Sequence, residues 1–166
     1  MPGCGKSTFG KKVAGEMNLR FIDLDKEIGA TEGISINEIF EKKGENYFRE
    51  IESSLLKDLT LRHSRFIMAT GGGAPCFFDN MDFMNANGIT FYIKAEVTDL
   101  LERLSDKGIS KRPLLKDVRP EDLFTELEDK LRSRQVFYER SAFILPYHAS
   151  LHLEIIEAVR NLPAKT

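Results

Sequence analysis

At 166 residues the chain has the length of one domain, enough to bury a core without disulfide support. Charged residues make up 30% and hydrophobic ones 42%, which fits a soluble globular protein and argues against a disordered chain. Lys and Arg number 24 against 26 Asp and Glu, for a net charge of −2, and that balance excludes a nucleic-acid coat or a polybasic membrane binder.

Two cysteines, Cys4 and Cys76, lie far apart without CxxC spacing, so neither a disulfide framework nor a zinc site is expected, and a reducing cytoplasm suits them. The longest uncharged stretch, Phe66 to Phe78, is interrupted by three glycines and is too short to cross a membrane. No signal-peptide or transit-type segment opens the chain. The expectation is a cytoplasmic protein with neither membrane nor nucleic-acid partners.

Read in chain order, Ser7 to Glu16 is a helix, with Phe9, Val13 and Met17 at four-residue spacing. Phe21-Ile22 is a short buried strand that stops on Asp23. Ser35-Ile36-Asn37-Glu38 has capping-box spacing and predicts a short helix to Gly44; Glu45 to Leu61 predicts a longer one. Phe66 to Ala69 is a second strand, Asp79 to Met84 a helix, and Ile89 to Ile93 a third strand, after which Thr98 caps a helix to Leu104.

Ser105 to Val118 shows no apolar period, carries Lys107, Lys111, Arg112 and Lys116, and reads as a basic loop of functional length. Pro120 opens a helix to about Tyr138, Phe143 to Leu145 is a last strand, and Leu151 to Leu162 a last helix. Strands alternating with helices predict an α/β fold, a parallel sheet with helices on both faces.

The strongest chemical signal is Gly3-Cys4-Gly5-Lys6-Ser7-Thr8, the second half of the phosphate-binding pattern G-x-x-x-x-G-K-[ST]. Small residues let successive backbone N–H groups face phosphate oxygens, and the following helix adds its positive end. Lys6 would contact the β- and γ-phosphates of a nucleotide and Ser7 would coordinate Mg²⁺. The competing reading is a Gly-rich turn before an ordinary helix. The pattern's first glycine and its feeding strand do not precede Gly3, so the native protein is expected to carry about ten further residues, apolar or β-branched and ending in Gly.

Asp23 and Asp25 alternate at the end of the first strand, so both carboxylates can face one side, where Asp25 would meet a substrate hydroxyl. A helix N-cap is the other reading. Arg49, with Glu52 at i+3, reads either as a surface ion pair or as half of an anion clamp. Arg134 continues the inward stripe Leu123, Leu127, Leu131, Arg134, Tyr138, where a guanidinium needs an acid, a ligand or a wet cleft. Gly71-Gly72-Gly73 permits close backbone approach to a ligand, or is a flexible turn. Cys76 reads as a small buried hydrophobe, and His63, His148 and His152 lack metal-ligand spacing.

Taken in order, GCGKST, FIDLD, EIFEKKGENYFREIE, ATGGGAP, KRPLL and the Arg134-x-x-x-Tyr138 pattern resemble the shikimate kinase family along nearly the whole chain. The resemblance implies a three-layer α/β/α P-loop fold, like that of nucleoside monophosphate kinases, with five parallel strands; the first of these is missing from this chain. It further implies a single kinase domain over residues 1–166, a lid over 105–118 and a shikimate-binding helical segment over 29–62. The implied reaction transfers the γ-phosphate of ATP to the 3-hydroxyl of shikimate.

By the same resemblance Gly3, Cys4, Gly5, Lys6, Ser7 and Thr8 hold the ATP phosphates, with Arg112 closing from the lid and Arg103 near the adenine. Ser7 and Asp23 serve Mg²⁺. Asp25, Arg49, Gly71, Gly72, Gly73 and Arg134 bind shikimate, Gly72 foremost among the glycines. Lys6, Asp25 and Arg112 carry the chemistry. The implied partners are small molecules only, and the implied state is a monomer. A gluconate-type or nucleotide kinase, or a kinase-like binding protein without activity, stands as the alternative.

Overall fold

The computed structural model describes residues 1–104, 113–115 and 118–161. Helix α1 (Lys6–Glu16) starts directly after Gly5, whose left-handed φ of 84° turns the loop into the helix. A Cβ at Gly5 would meet the Phe9 ring at 2.8 Å, so only glycine fits there. Phe9 and Val13 point into the core. Strand β1 (Arg20–Asp23) runs straight into α2 (Leu24–Glu32), a helix that begins one residue before Asp25. Its Leu24 and Ile28 are fully buried.

Helix α3 (Ile36–Arg62) opens with the expected capping box: the Glu38 N–H donates to Ser35 Oγ at 3.2 Å, and the Ser35 N–H donates to Glu38 Oε2 at 3.0 Å. The short and long helices expected here form one element that breaks at Gly44, where φ is 83° and ψ 171°. Strand β2 (Phe66–Ala69) leads to the three glycines, a 3₁₀ turn at Ala74–Cys76 and α4 (Asn80–Asn87). Then come β3 (Phe91–Lys94) and α5 (Val97–Arg103), at whose start Glu96, not Thr98, holds the N-cap position. Pro120–Asp122 forms a 3₁₀ turn before α6 (Leu123–Tyr138), followed by β4 (Phe143–Pro146) and α7 (Leu151–Arg160).

Among the described residues both strand pairings are parallel. Arg20 to Asp23 pair in register with Phe66 to Ala69, and Phe91 to Lys94 with Phe143 to Pro146. Among the described residues the four strands form two separate pairs, β1–β2 and β3–β4, and no strand precedes α1. The α/β class and the parallel pairing match expectation.

Two apolar cores accompany the two pairs. Ile22, Leu24, Ile28, Ile39, Phe48, Leu56 and Leu59 join β1, α2 and α3. Phe9, Val13, Tyr92, Ile93, Leu100, Leu127, Leu151 and Ile155 join α1, β3 and α5 to α7. Among the described residues no helix is long and apolar enough to cross a membrane.

Candidate active site

A cavity of about 540 Å³ opens where β1 and β2 end, and Asp23 and Ala69, the last residues of those strands, line it. That is the crevice in which open parallel sheets bind ligands. One wall is the loop Gly3, Gly5, Lys6, Ser7 and Thr8; another is Gly71, Gly72 and Gly73; Asp25, Arg49, Glu52, Lys130 and Arg134 complete its charged lining. The apolar floor comes from Ile36, Phe40 and Phe48.

At the phosphate end, Gly3 and Gly5 both adopt left-handed φ, 77° and 84°, which turns successive amides toward one side. The Ser7 hydroxyl donates to Asp23 Oδ2 at 2.9 Å. A hydroxyl and a carboxylate in contact beside the phosphate loop are hard oxygen donors that suit Mg²⁺. Asp23 occupies the N-cap position of α2, yet its side chain makes no capping bond. The N-cap reading holds for the position, since a helix does start there, but the carboxylate turns to Ser7 and not to the helix amides.

Lys6 folds back over the loop, donating to the Met1 carbonyl at 2.7 Å, with its ammonium 3.6 Å from Cys4 Sγ. Cys4 is buried beneath the loop rather than lining the cavity, and its thiol donates to the Met1 carbonyl. Burial alone would push that thiol up, but the charges of Lys6 and the Met1 amino group outweigh it and hold the thiol at about 7.

At the other end, Arg49 corrects the surface-pair reading. It is 4% exposed, lying between the Phe77 and Phe48 rings at 4.6 and 5.0 Å. Its Nη1 donates to Glu52 Oε2 at 2.7 Å, and Nε and Nη2 donate to Glu45 Oε1 at 3.1 and 2.9 Å. Glu52 is fully buried, and its Oε1 has no hydrogen-bond partner among the described residues. Burial pushes its carboxyl up and Asp25 adds to this; Arg49 and Arg134 pull the other way, and the group stands at about 7.

The glycine run fits tightly around these groups. A Cβ on Gly73 would lie 2.5 Å from both Arg49 terminal nitrogens; one on Gly71 would lie 2.4 Å from Glu52 Oε1 and 3.2 Å from Asp25 Oδ1. Gly72 is looser, with Arg134 Nη1 at 3.6 Å, and its carbonyl accepts from the Tyr138 hydroxyl at 2.6 Å. A side chain at Gly71 or Gly73 could enter only if Glu52 or Arg49 shifted, which favours the close-approach reading over the flexible turn.

Seven expected groups thus meet in one cavity: the phosphate loop, Asp23, Asp25, Arg49, the glycine run, Arg134 and the segment Pro113 to Leu115. Arg103 does not line it; its guanidinium stacks at 3.3 Å on the Tyr147 ring, itself edge-on to Phe9. Arg112 and most of the expected lid lie outside the described residues. Cys76 is half-buried, and burial raises its thiol. His148 and His152 pair with Glu154 and Glu16, and among the described residues no group of three metal-ligating side chains forms.

Two lining residues had no signal of their own in the sequence. Glu52 looked like a surface partner of Arg49, and Lys130 lies one turn ahead of Arg134 on α6.

A family profile described as shikimate kinase matches residues 2–161. The chain is 39% identical over 155 residues to the shikimate kinase of Azobacteroides pseudotrichonymphae genomovar. CFP2, covering 93% of this chain and 91% of the relative. It is 41% identical over 140 residues to that of Parabacteroides distasonis, covering 84% and 80%.

Among solved structures, shikimate kinase from Acinetobacter baumannii in complex with shikimate superposes with a TM-score of 0.88 at 31% identity, over 98% of this chain and 91% of that one. The Bacteroides thetaiotaomicron enzyme gives 0.83 at 32%, over 95% and 91%. On the profile, the relatives and the superposed structures together, the chain belongs to the shikimate kinase family, ATP-dependent kinases of shikimate.

Proposed function

We propose that this cavity transfers the γ-phosphoryl group of ATP to the 3-hydroxyl of shikimate through residues at its two ends. The observation that carries the reading is the pairing of a phosphate loop with Asp25, Arg49 and Arg134 around one cavity. Shikimate is a hydroxylated carboxylate. Arg49 and Arg134 suit its carboxylate, because guanidinium matches that group bidentately, while Asp25 suits a ring hydroxyl. The glycine run lets the ring approach the backbone where Gly71 and Gly73 leave no room for a side chain.

Phosphoryl transfer needs positioning and positive charge more than covalent chemistry. The amides of Gly3 to Thr8 cradle the phosphates, and Lys6 exchanges the Met1 carbonyl for phosphate oxygens. Asp25 accepts the proton of the attacking hydroxyl and aims its oxygen at phosphorus. Ser7 and Asp23 are the residues that would hold Mg²⁺, which when bound neutralises charge on the β- and γ-phosphates. Arg112 closes from the lid at 105–118, and the closed lid excludes water that would otherwise accept the phosphoryl group. Residues 29–62 form the acceptor-binding segment of a single kinase domain. The elevated Glu52 carboxyl keeps part of its population neutral near pH 7, leaving more of the Arg49 charge for the substrate. A cytoplasmic monomer suits this role.

Release of ADP in a coupled assay with MgATP and a panel of acceptors tests the reading. Shikimate is expected to support turnover, while gluconate and nucleoside monophosphates are not. Turnover with gluconate alone would transfer the assignment to a sugar-acid kinase.

A further inference from the structure

Asn80 takes no part in the site described above, yet it is a fully buried polar side chain set between α3 and the glycine loop. Its Oδ1 accepts from Ser53 Oγ at 2.7 Å, and its Nδ2 donates to the Ala74 carbonyl at 2.9 Å. Its backbone N–H donates to the Phe77 carbonyl at 3.0 Å. Ser53 lies on α3 beside Glu52, about one turn beyond Arg49. Ala74 follows the glycine run and is tied back to it, its N–H donating to the Gly71 carbonyl at 3.2 Å. Phe77 supplies one of the two rings against the Arg49 guanidinium. One residue therefore joins the arginine's helix, the glycine loop and the arginine's aromatic wall.

The backbone reaches this position through an unfavourable path. Phe78 and Asp79, directly before Asn80, both adopt left-handed φ, 49° and 54°, a region bulky side chains rarely enter. This pair of residues turns the chain so that Asn80 drops into the core while Phe78 stays exposed. An apolar residue at 80 would bury more easily, because a buried amide must find partners for its donors and acceptor. What an amide adds is direction: hydrogen bonds fix distance and angle, whereas apolar contact does not. The site needs that, since Gly73 and Arg49 approach so closely that not even a methyl group fits between them.

We infer that Asn80, through Ser53 and Ala74, is a positioning residue that sets the spacing between Arg49 and the glycine loop and so tunes affinity for the acceptor carboxylate. The inference rests on the proposal that Arg49 and the glycine run hold that acceptor.

The test is steady-state kinetics of Asn80→Ala and Ser53→Ala with shikimate and MgATP varied separately, repeated in an Arg49→Gln background. A displacement of roughly 1 Å at a positioning group can cost up to about a hundredfold. Asn80→Ala is accordingly expected to raise KM for shikimate about tenfold while KM for ATP stays within about twofold. Ser53→Ala removes only a hydroxyl, which keeps the test alive if Asn80→Ala does not fold, and a smaller rise confined to shikimate is expected.

In the Arg49→Gln background, Asn80→Ala is expected to add less than about twofold, because the group it positions is gone. Equal rises in both KM values, an undiminished effect in that background, or a lowered Tm with both KM values unchanged would each overturn the inference. If Arg49→Gln alone leaves KM for shikimate unchanged, the clamp reading itself fails, an outcome distinct from these three.

Discussion

Replacing Gly73 by alanine adds one methyl group at the point where the glycine loop meets Arg49. The backbone there, at φ −87° and ψ −21°, accepts alanine without strain, so the effect falls on the neighbour. The new Cβ would lie 2.5 Å from Nη1 and Nη2 and 2.6 Å from Cζ of Arg49. To restore a tight but ordinary contact of 3.4 Å, the guanidinium must retreat by about 0.9 Å, the difference from 2.5 Å.

A long side chain would normally give way cheaply. This one is held by Glu45, Glu52 and two aromatic rings. Retreat weakens a hydrogen bond to a charged partner, about 1.5–3 kcal/mol, or about ten- to a hundredfold in an equilibrium constant. The same methyl on Gly72 meets Arg134 and Met1 at 3.6 Å, an ordinary contact. Shikimate titrations of both variants at saturating MgATP are therefore expected to show KM raised about ten- to a hundredfold for Gly73→Ala and by less than about threefold for Gly72→Ala, with KM for ATP held in both. Equal effects at the two glycines, or an effect of Gly73→Ala on ATP alone, would refute the packing argument.

Arg134→Ala is expected to raise KM for shikimate far more than that for ATP, by about 2–5 kcal/mol of lost binding; separate titrations of the two substrates check this. Glu52→Gln tests the buried carboxyl through stability. A carboxyl raised to about 7 in the fold favours its neutral form, so its contribution is present below the usual carboxylate value of about 4.5 and is lost as pH rises through 7. Urea unfolding at pH 5 and pH 8 should show wild type losing about 2–3 kcal/mol relative to Glu52→Gln, and a pH-independent gap between the two proteins would contradict it. A small thiol reagent such as methyl methanethiosulfonate should inactivate the enzyme at a rate that rises around pH 7, with protection by MgATP and none of this loss in Cys4→Ala. Burial of Cys4 should make the reaction slow, and an unchanged rate in Cys4→Ala would move the sensitive thiol elsewhere.

Local chemistry made much of the fold legible. The Ser35 and Glu38 capping box, the four-residue spacing of Phe9 and Val13, and the apolar run Phe66 to Ala69 are all short-range signals, and each element appears where its signal lies. Helix α2 was hidden because Asp23-Leu24-Asp25 serves equally as a strand end and a helix start; the choice was made by burial of Leu24 and Ile28 against α3. The stop signal at Gly44 marks the break between the short and the long helix, where one left-handed residue kinks α3.

The site was legible in its residue types and not in its packing. Arg49 and Glu52 form an i,i+3 pair that looks solvent-facing until Gly73 and Phe77, distant in sequence, close over it. Asn80 gave no periodic or motif signal, since its meaning lies in partners on α3 and in the glycine loop. The division of the strands into two pairs likewise depends on parallel pairings between residues far apart in the chain, which short-range patterns do not encode.

The most direct test of the central claim is to identify the product. The protein is incubated with MgATP and shikimate, and the reaction is followed by phosphorus NMR with proton correlation. The account predicts one new phosphate monoester whose phosphorus couples to the proton on C3 of the ring, appearing in step with ADP and lost in Asp25→Asn. Phosphate on a different hydroxyl, or ADP formed with inorganic phosphate alone, would contradict it.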